Sequence, residues 1–186
     1  MVRHGETDWS QTRLHTGRSD IELNPAGEAQ ARALADRLPL ADVVAIWCSP
    51  LSRAMESARL AGLVVDRVEP DLIEWDYGQA DGRTTAEIRE EHPGWTIWDD
   101  ANLVAETVTD VGARADKVIA RAMGQEELDG TVALVSHAHL LRVLAARWLG
   151  LPAVAGRHLT LDAAGWGRLG WERETPVIEC WNPPAA

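Results

Sequence analysis

The chain has no phenylalanine, one tyrosine and two cysteines among its 186 residues. Without Phe, aromatic bulk falls to nine tryptophans, most of them expected to be ordinary core filling. Cys48 and Cys180 stand far apart and give no disulfide framework, so they read as two buried thiols of a reducing compartment. Basic residues are few, 18 Lys and Arg against 29 Asp and Glu, which gives a net charge of −11 and a pI near 4.9. Such a chain repels nucleic acid and anionic membranes, so neither is expected as a partner. An anionic substrate would need a local basic pocket. No apolar run approaches the ~18 residues of a membrane span, and no basic-then-apolar leader precedes the first motif. There is no internal repeat and no low-complexity stretch. HExxH, CxxC and carboxylates at ligand spacing are all missing, so no metal and no cofactor is expected. These absences together lead to the expectation of a soluble cytoplasmic protein, with self-association left open.

What is present has a globular balance, 46% hydrophobic and 25% charged, and the length suits one domain over residues 1–186. Strand and helix signals alternate. Asn24-Pro25 is a cap and a first-turn proline, followed by Ala29, Leu34 and Leu38 at helical spacing. Residues 43–47 read as a strand, and Ser49-Pro50 starts a helix through about Ala61. A strand over 64–68 precedes a long acidic loop, 71–83. Thr84…Glu87 is a capping box. Val111, Ala115, Val118, Ile119 and Ala122 form a helical stripe after Thr107. Residues 131–135 read as a strand, 139–149 as a helix stopped by Gly150 and Pro152, 177–181 as a last strand, and 182–186 as a frayed tail. This alternation predicts a three-layer α/β/α sandwich with a largely parallel central sheet. Only Met1 and Val2 precede the first motif, so the first strand is nearly absent, as expected of a chain whose native start lies upstream.

Three apolar strands each run directly into a polar cluster. Met1-Val2 leads into Arg3-His4-Gly5-Glu6-Thr7. The second strand leads into Ser49-Pro50-Leu51-Ser52-Arg53, and the one over 131–135 into Ser136-His137-Ala138-His139. Ligands of open α/β sheets bind beyond the carboxyl ends of the strands. If these strands are neighbours, Arg3, His4, Arg53 and His137 converge there. Two arginines and two histidines in one crevice form an anion site, since the guanidinium fork matches phosphate oxygens.

These motifs, with Glu74-Trp75-Asp76-Tyr77-Gly78 and Gly82, resemble the histidine phosphatase superfamily, also called phosphoglycerate-mutase-like. The EWDYG form, Thr16-Gly17 and Trp95…Trp98 are similar to its acid phosphatase and sugar-bisphosphate phosphatase branch. The resemblance implies a metal-independent phosphomonoesterase acting on small phosphate esters, sugar or aryl. It implies that His4 is phosphorylated, that Arg3, Arg53 and His137 hold the phosphoryl oxygens, and that Glu74 is general acid and base. It places Ser10, Thr16, Gly17, Tyr77 and Ala138 against the substrate. Ala138 stands where the family usually has Gly, and a methyl group there is expected to crowd the phosphate pocket. Residues 100–107 read DANLVAET and keep only Glu106-Thr107 of the usual Gly-rich Gly-Glu-Ser-like loop. The alternatives are a phosphoglycerate-type mutase, disfavoured because 84–103 offers only Arg89 as a cation, and an inactive phosphate-binding module. Trp9, Trp75, Trp95 and Trp98 are expected at the pocket mouth, with no second cationic cluster beside it.

Overall fold

A computed structural model describes residues 1–99, 102–124 and 130–184. Four strands pair in parallel in the order β1-β4-β2-β3: β1 (Val2–Arg3), β4 (Thr131–Ser136), β2 (Val43–Cys48) and β3 (Arg67–Val68). Alternation along β2 sorts its side chains between two cores, as the two-residue period of a strand requires. Ala45 and Trp47 meet Val111, Ala115 and Val118 of α5 (Val108–Met123) and Leu140 and Leu144 of α6 (Ala138–Trp148). Cys48 faces the other way, onto Leu34 after α2 (Pro25–Ala33) and Ala54 and Ala58 of α3 (Ser52–Leu60). The result is the three-layer α/β/α sandwich expected from the alternating pattern. The remaining elements are the short α1 (Asp8–Gln11), α4 (Thr85–Glu91), an antiparallel hairpin of β5 (Gly167–Glu172) and β6 (Thr175–Trp181), and short 3-10 turns such as Ala153–His158.

Local chemistry starts α2, α4 and α5 where the sequence indicated, whereas α3 starts at Ser52, with Leu51 before it and no side-chain cap bond, and not at the expected Ser49-Pro50. The Asn24 side chain accepts from Gly27 N, with Pro25 at the first helical position. Thr84 and Glu87 close a capping box on α4. Thr107 and Asp110 close another on α5. The Asn24 turn also ties α2 to the first motif, because Asn24 N donates to Glu6 O at 3.0 Å. Backbone there runs against backbone: a Cβ on Gly5 would lie 2.3 Å from Gly27 O, and one on Gly27 would lie 2.0 Å from Glu6 O. Glycine at both positions is what lets the phosphate-loop candidate sit on α2.

Several boundaries differ from expectation. The strand expected over 64–68 shrinks to Arg67–Val68. Val64 is exposed, and Asp66 takes the Ile46 amide with its side chain, which ends regular pairing. β5 was not foreseen, since Gly167 and Gly170 and the charges of Arg168 and Glu172 mask its pattern. Asn182 is not frayed: its amide donates to Trp166 O and its side chain exchanges bonds with Asp162. Ala185 and Ala186 of the expected tail, and Asp100 and Ala101 of the altered loop, lie outside the described residues. Cys48 is buried and its thiol pushed up to about 12 by desolvation, whereas Cys180 is only half-buried.

Candidate active site

The three polar clusters meet at the carboxyl edge of the sheet. His4 follows β1 and donates its amide to Ser136 O at 3.0 Å, which sets its ring 5.1 Å from that of His137. Arg53, in the first turn of α3, is fully buried and donates Nε to His137 Nδ1 at 3.2 Å. Its Nη1 bonds Ser19 O at 2.7 Å and its Nη2 bonds Gly17 O at 2.8 Å and Thr16 O at 3.4 Å. A guanidinium has five N–H groups, so one hydrogen on Nη1 remains. Arg3 donates Nη1 to Leu161 O at 2.6 Å, while its buried Nε has no partner among the described residues. An orphaned buried donor costs about 1–3 kcal/mol, which a bound oxyanion would relieve.

Electrostatics settle the protonation of the histidines. His4 is held well below the usual imidazole range, first by burial and then by the Arg3 and Arg53 cations. Its Nδ1 lies 2.6 Å from Gly5 O. Only an N–H can approach a carbonyl that closely, so Nδ1 carries the proton and Nε2 keeps its lone pair. His137 is lowered in the same way, by burial, then Arg53, then His4 and the remaining cations. Its Nδ1 accepts from Arg53, so Nε2–H donates to Ser49 Oγ at 2.7 Å.

Glu74 is buried and hangs from the start of α6. Its Oε1 accepts from Leu140 N at 3.0 Å and Trp75 N at 2.9 Å, and its Oε2 from His139 N at 3.1 Å. Helix N-termini favour carboxylates in this position. Its charge acts on both Arg3 and Arg53, so it belongs to the same cluster. Tyr77 is buried and its hydroxyl pairs with His139 Nδ1.

The expected substrate contacts are placed unevenly. Thr16 and Gly17 lie on the loop whose carbonyls hold Arg53. The Ser10 hydroxyl is engaged locally, donating to Thr7 O and accepting from Thr7 N. Ala138 is the first residue of α6 with no positive φ, so its methyl group strains no backbone. Among the tryptophans, Trp75 and Trp95 are buried in the core, which corrects their expected place at the mouth. Trp98 is half-buried, edge-on to His139 at 5.3 Å, and Trp9 packs on Gly82.

Other groups at the site carried no signal in the sequence. Ser57 accepts from Gly5 N at 3.0 Å and donates to Arg53 O at 2.7 Å. Asp81 accepts from Gly17 N, Ser19 N and Ser19 Oγ, though nothing distinguished it from Asp71 and Asp76. Arg114 of α5 bonds Asp71 O, Ile73 O and the Glu106 carboxylate, lacing the loop that carries Glu74. Arg142 lies 4.9 Å over the Trp98 ring and its charge reaches Tyr77 and Glu74, so one cation besides Arg3 and Arg53 flanks the site.

A parallel α/β sheet with two arginines, two neutral histidines and a carboxylate at its carboxyl edge defines a phosphoryl-transfer class of protein. A family model described as histidine phosphatase superfamily (branch 1) matches residues 1–184, and the chain belongs to that superfamily. It is 39% identical to an acid phosphatase of Mycobacterium tuberculosis over 175 residues, 92% of this chain and 85% of that protein. It is 31% identical to a sedoheptulose 1,7-bisphosphatase of Saccharomyces cerevisiae over 182 residues, 81% of this chain and 67% of that one. Among solved structures, a mycobacterial glucosyl-3-phosphoglycerate phosphatase in complex with VO3 superposes with a TM-score of 0.86 at 32% identity, covering 99% of this chain and 98% of the other. Among the described residues, no helix is long and apolar enough to cross a membrane.

Proposed function

We propose that this histidine phosphatase hydrolyses monoesters of small phosphorylated metabolites through a phosphohistidine on His4. The observation that carries the reading is the His4 tautomer: a neutral ring, its Nδ1–H given to Gly5 O, leaves Nε2 as the nucleophile. Nε2 attacks phosphorus, the P–O bond to the leaving group breaks, and the leaving alkoxide takes a proton from Glu74. Water then gives its proton to Glu74 as it attacks the phosphohistidine, and the P–N bond breaks. Arg3 Nε, the remaining Arg53 Nη1 hydrogen and the His137 Nε2–H now satisfied by Ser49 serve the equatorial oxygens, where charge gathers in phosphoryl transfer. Thr16, Gly17, Tyr77 and Ala138 line the substrate side, with Ser10 shaping the first turn. A solved relative in complex with VO3, an oxyanion, is in keeping with an anion-binding role.

Rapid quench with phosphate-labelled substrate, in buffer stripped of divalent metal, is expected to trap acid-labile label on His4. His4→Ala is expected to lower kcat by at least about 10³-fold, as loss of a residue acting as part of a unit does. Label on another residue, or near-normal turnover by the variant, rules the mechanism out.

For substrate class, Trp98 beside His139 favours an ester with a sugar or aryl face. Arg142 over that ring favours a second reading, a substrate with a further anionic group such as a bisphosphate or phosphoglycerate. Comparing kcat/KM for sugar monophosphates and bisphosphates decides between them. Arg142→Gln is expected to lower kcat/KM for substrates with a second anionic group at least about 10-fold more than for simple monophosphates, the scale of one charge-assisted hydrogen bond. Equal losses on both classes leave Arg142 as a structural residue.

A further inference from the structure

The His139 side chain has no part in the phosphoryl-transfer steps, yet it stands beside them. Its backbone amide seats Glu74 Oε2. Its ring is edge-on to three aromatics, Trp98 at 5.3 Å, Tyr77 at 5.7 Å and Trp75 at 6.1 Å, and such contacts fix the plane of a ring. Arg3 of the phosphate cluster and Arg142, which lies against Trp98, both act on its charge. The ring is therefore close to both the oxyanion cluster and the Trp98 wall.

The bond to Tyr77 decides which nitrogen carries the proton. Burial and then Glu74 hold the phenol well above its usual range, so it keeps its hydrogen. Among the described residues the buried Tyr77 oxygen has one partner, His139 Nδ1. If Nδ1 were the donor, the phenolic hydrogen would be buried with no acceptor, at the full cost of its desolvation. Tyr77 therefore donates, Nδ1 accepts, and the proton of the neutral ring is on Nε2. A second proton is refused, because desolvation first, and then Arg142, His15 and Arg3, hold the imidazole well below its usual range. Among the described residues Nε2 has no partner, and it is open to solvent. The outcome is an oriented, neutral, unpaired N–H next to the carboxylate that serves the leaving group.

We infer that His139 Nε2–H is a substrate-binding donor that takes an oxygen on the carbon next to the esterified one, and so selects polyol and sugar phosphates over esters that lack this oxygen. The inference rests on the phosphatase reading and on Glu74 as its acid. The residue whose amide holds Glu74 Oε2 carries the donor at the far end of its side chain, so an oxygen bound there lies just beyond the leaving oxygen. A hydroxyl or ring ether satisfies a neutral N–H with no charge to desolvate, whereas bare hydrocarbon leaves the donor unpaired.

The test uses two substrates that differ by one hydroxyl, 2-hydroxypropyl phosphate and n-propyl phosphate. The wild-type enzyme is expected to show kcat/KM at least about 10-fold higher for the hydroxylated ester, the scale of leaving a built donor unpaired. His139→Phe keeps a ring among the aromatics and removes the donor, so most of that ratio is expected to vanish. What is left in the variant measures the difference in leaving-group acidity alone. His139→Gln returns an N–H to the end of the side chain and is expected to recover part of the ratio. A purely structural role would lower both substrates together. An unchanged ratio in His139→Phe therefore overturns the inference, and so does a wild-type enzyme indifferent to the hydroxyl. If the Phe variant does not fold, nitrogen NMR of ring-labelled histidine in the wild-type enzyme decides: protonated Nε2 is expected, and a proton on Nδ1 overturns the inference. Turnover that survives His4→Ala sinks the phosphatase mechanism. Turnover that requires His4 but ignores the hydroxyl sinks this inference alone.

Discussion

At the level of single residues, the state of each histidine follows from its neighbours rather than from its own chemistry. His4 gives one nitrogen to a carbonyl 2.6 Å away and loses its charge to burial and two cations. Glu74 is fixed by three backbone amides, with a lone pair on Oε2 left for a proton. Glu74→Gln keeps the shape but cannot exchange a proton, so kcat is expected to fall about 10²–10⁴-fold. The loss should be smaller for esters whose leaving groups need no proton, such as nitrophenyl phosphate. A uniform loss across leaving groups would remove Glu74 from the proton path. Arg3, His4, Arg53, His137 and Glu74 were all legible in the sequence because each lies in a short motif at a strand end or loop. Asp81, Ser57 and Arg142 were not, because their partners come from distant elements. Ser57 meets Gly5 across 52 positions of chain, and no local pattern encodes that.

The elements contribute by holding loops rather than by reacting. Asp81 gathers two amides and a hydroxyl of the segment 16–19, and that segment's carbonyls hold Arg53. Asp81→Asn keeps one acceptor and loses the charge, which is expected to cost about 2 kcal/mol, the range for a charged hydrogen bond. Because Arg53 loses its frame, KM should rise more than kcat falls, measured by steady-state kinetics beside a denaturant melt. A stability loss with unchanged KM would show that the segment does not position Arg53. Element starts were readable for a physical reason: caps such as Asn24 and Thr84 are local bonds set within a few residues. Strand ends were less so. β3 begins only after Asp66, whose side chain takes the Ile46 amide, and β5 is held by its hairpin partner and by Met1, interactions that no alternation of apolar and polar residues records.

Across the whole molecule, His4 and His137 are buried and His139 half-buried, all three with their protonation held well below the ordinary range, and His15 is lowered too. Unfolding frees them to titrate near 6.5. Above that pH both states are neutral and the histidines have no effect on stability. As pH falls below 6.5, the unfolded chain takes up protons that the fold refuses, so stability declines until the folded values are reached. The slope approaches about 1.4 kcal/mol per pH unit for each such histidine. Tm is therefore expected to drop steadily from pH 6.5 to 5, before carboxylates titrate. A flat or rising Tm over that window would mean that the histidines are charged in the fold. One further consequence follows from where α6 begins. The Ser136 carbonyl seats His4, His137 comes next, and the amides of His139 and Leu140 seat Glu74. Five consecutive residues thus act as a common datum, in the machinist's sense, from which three reacting positions are all measured. Placement errors elsewhere do not stack up between them. Loops that carry none of these five residues can change what is bound while the gauge itself stays true.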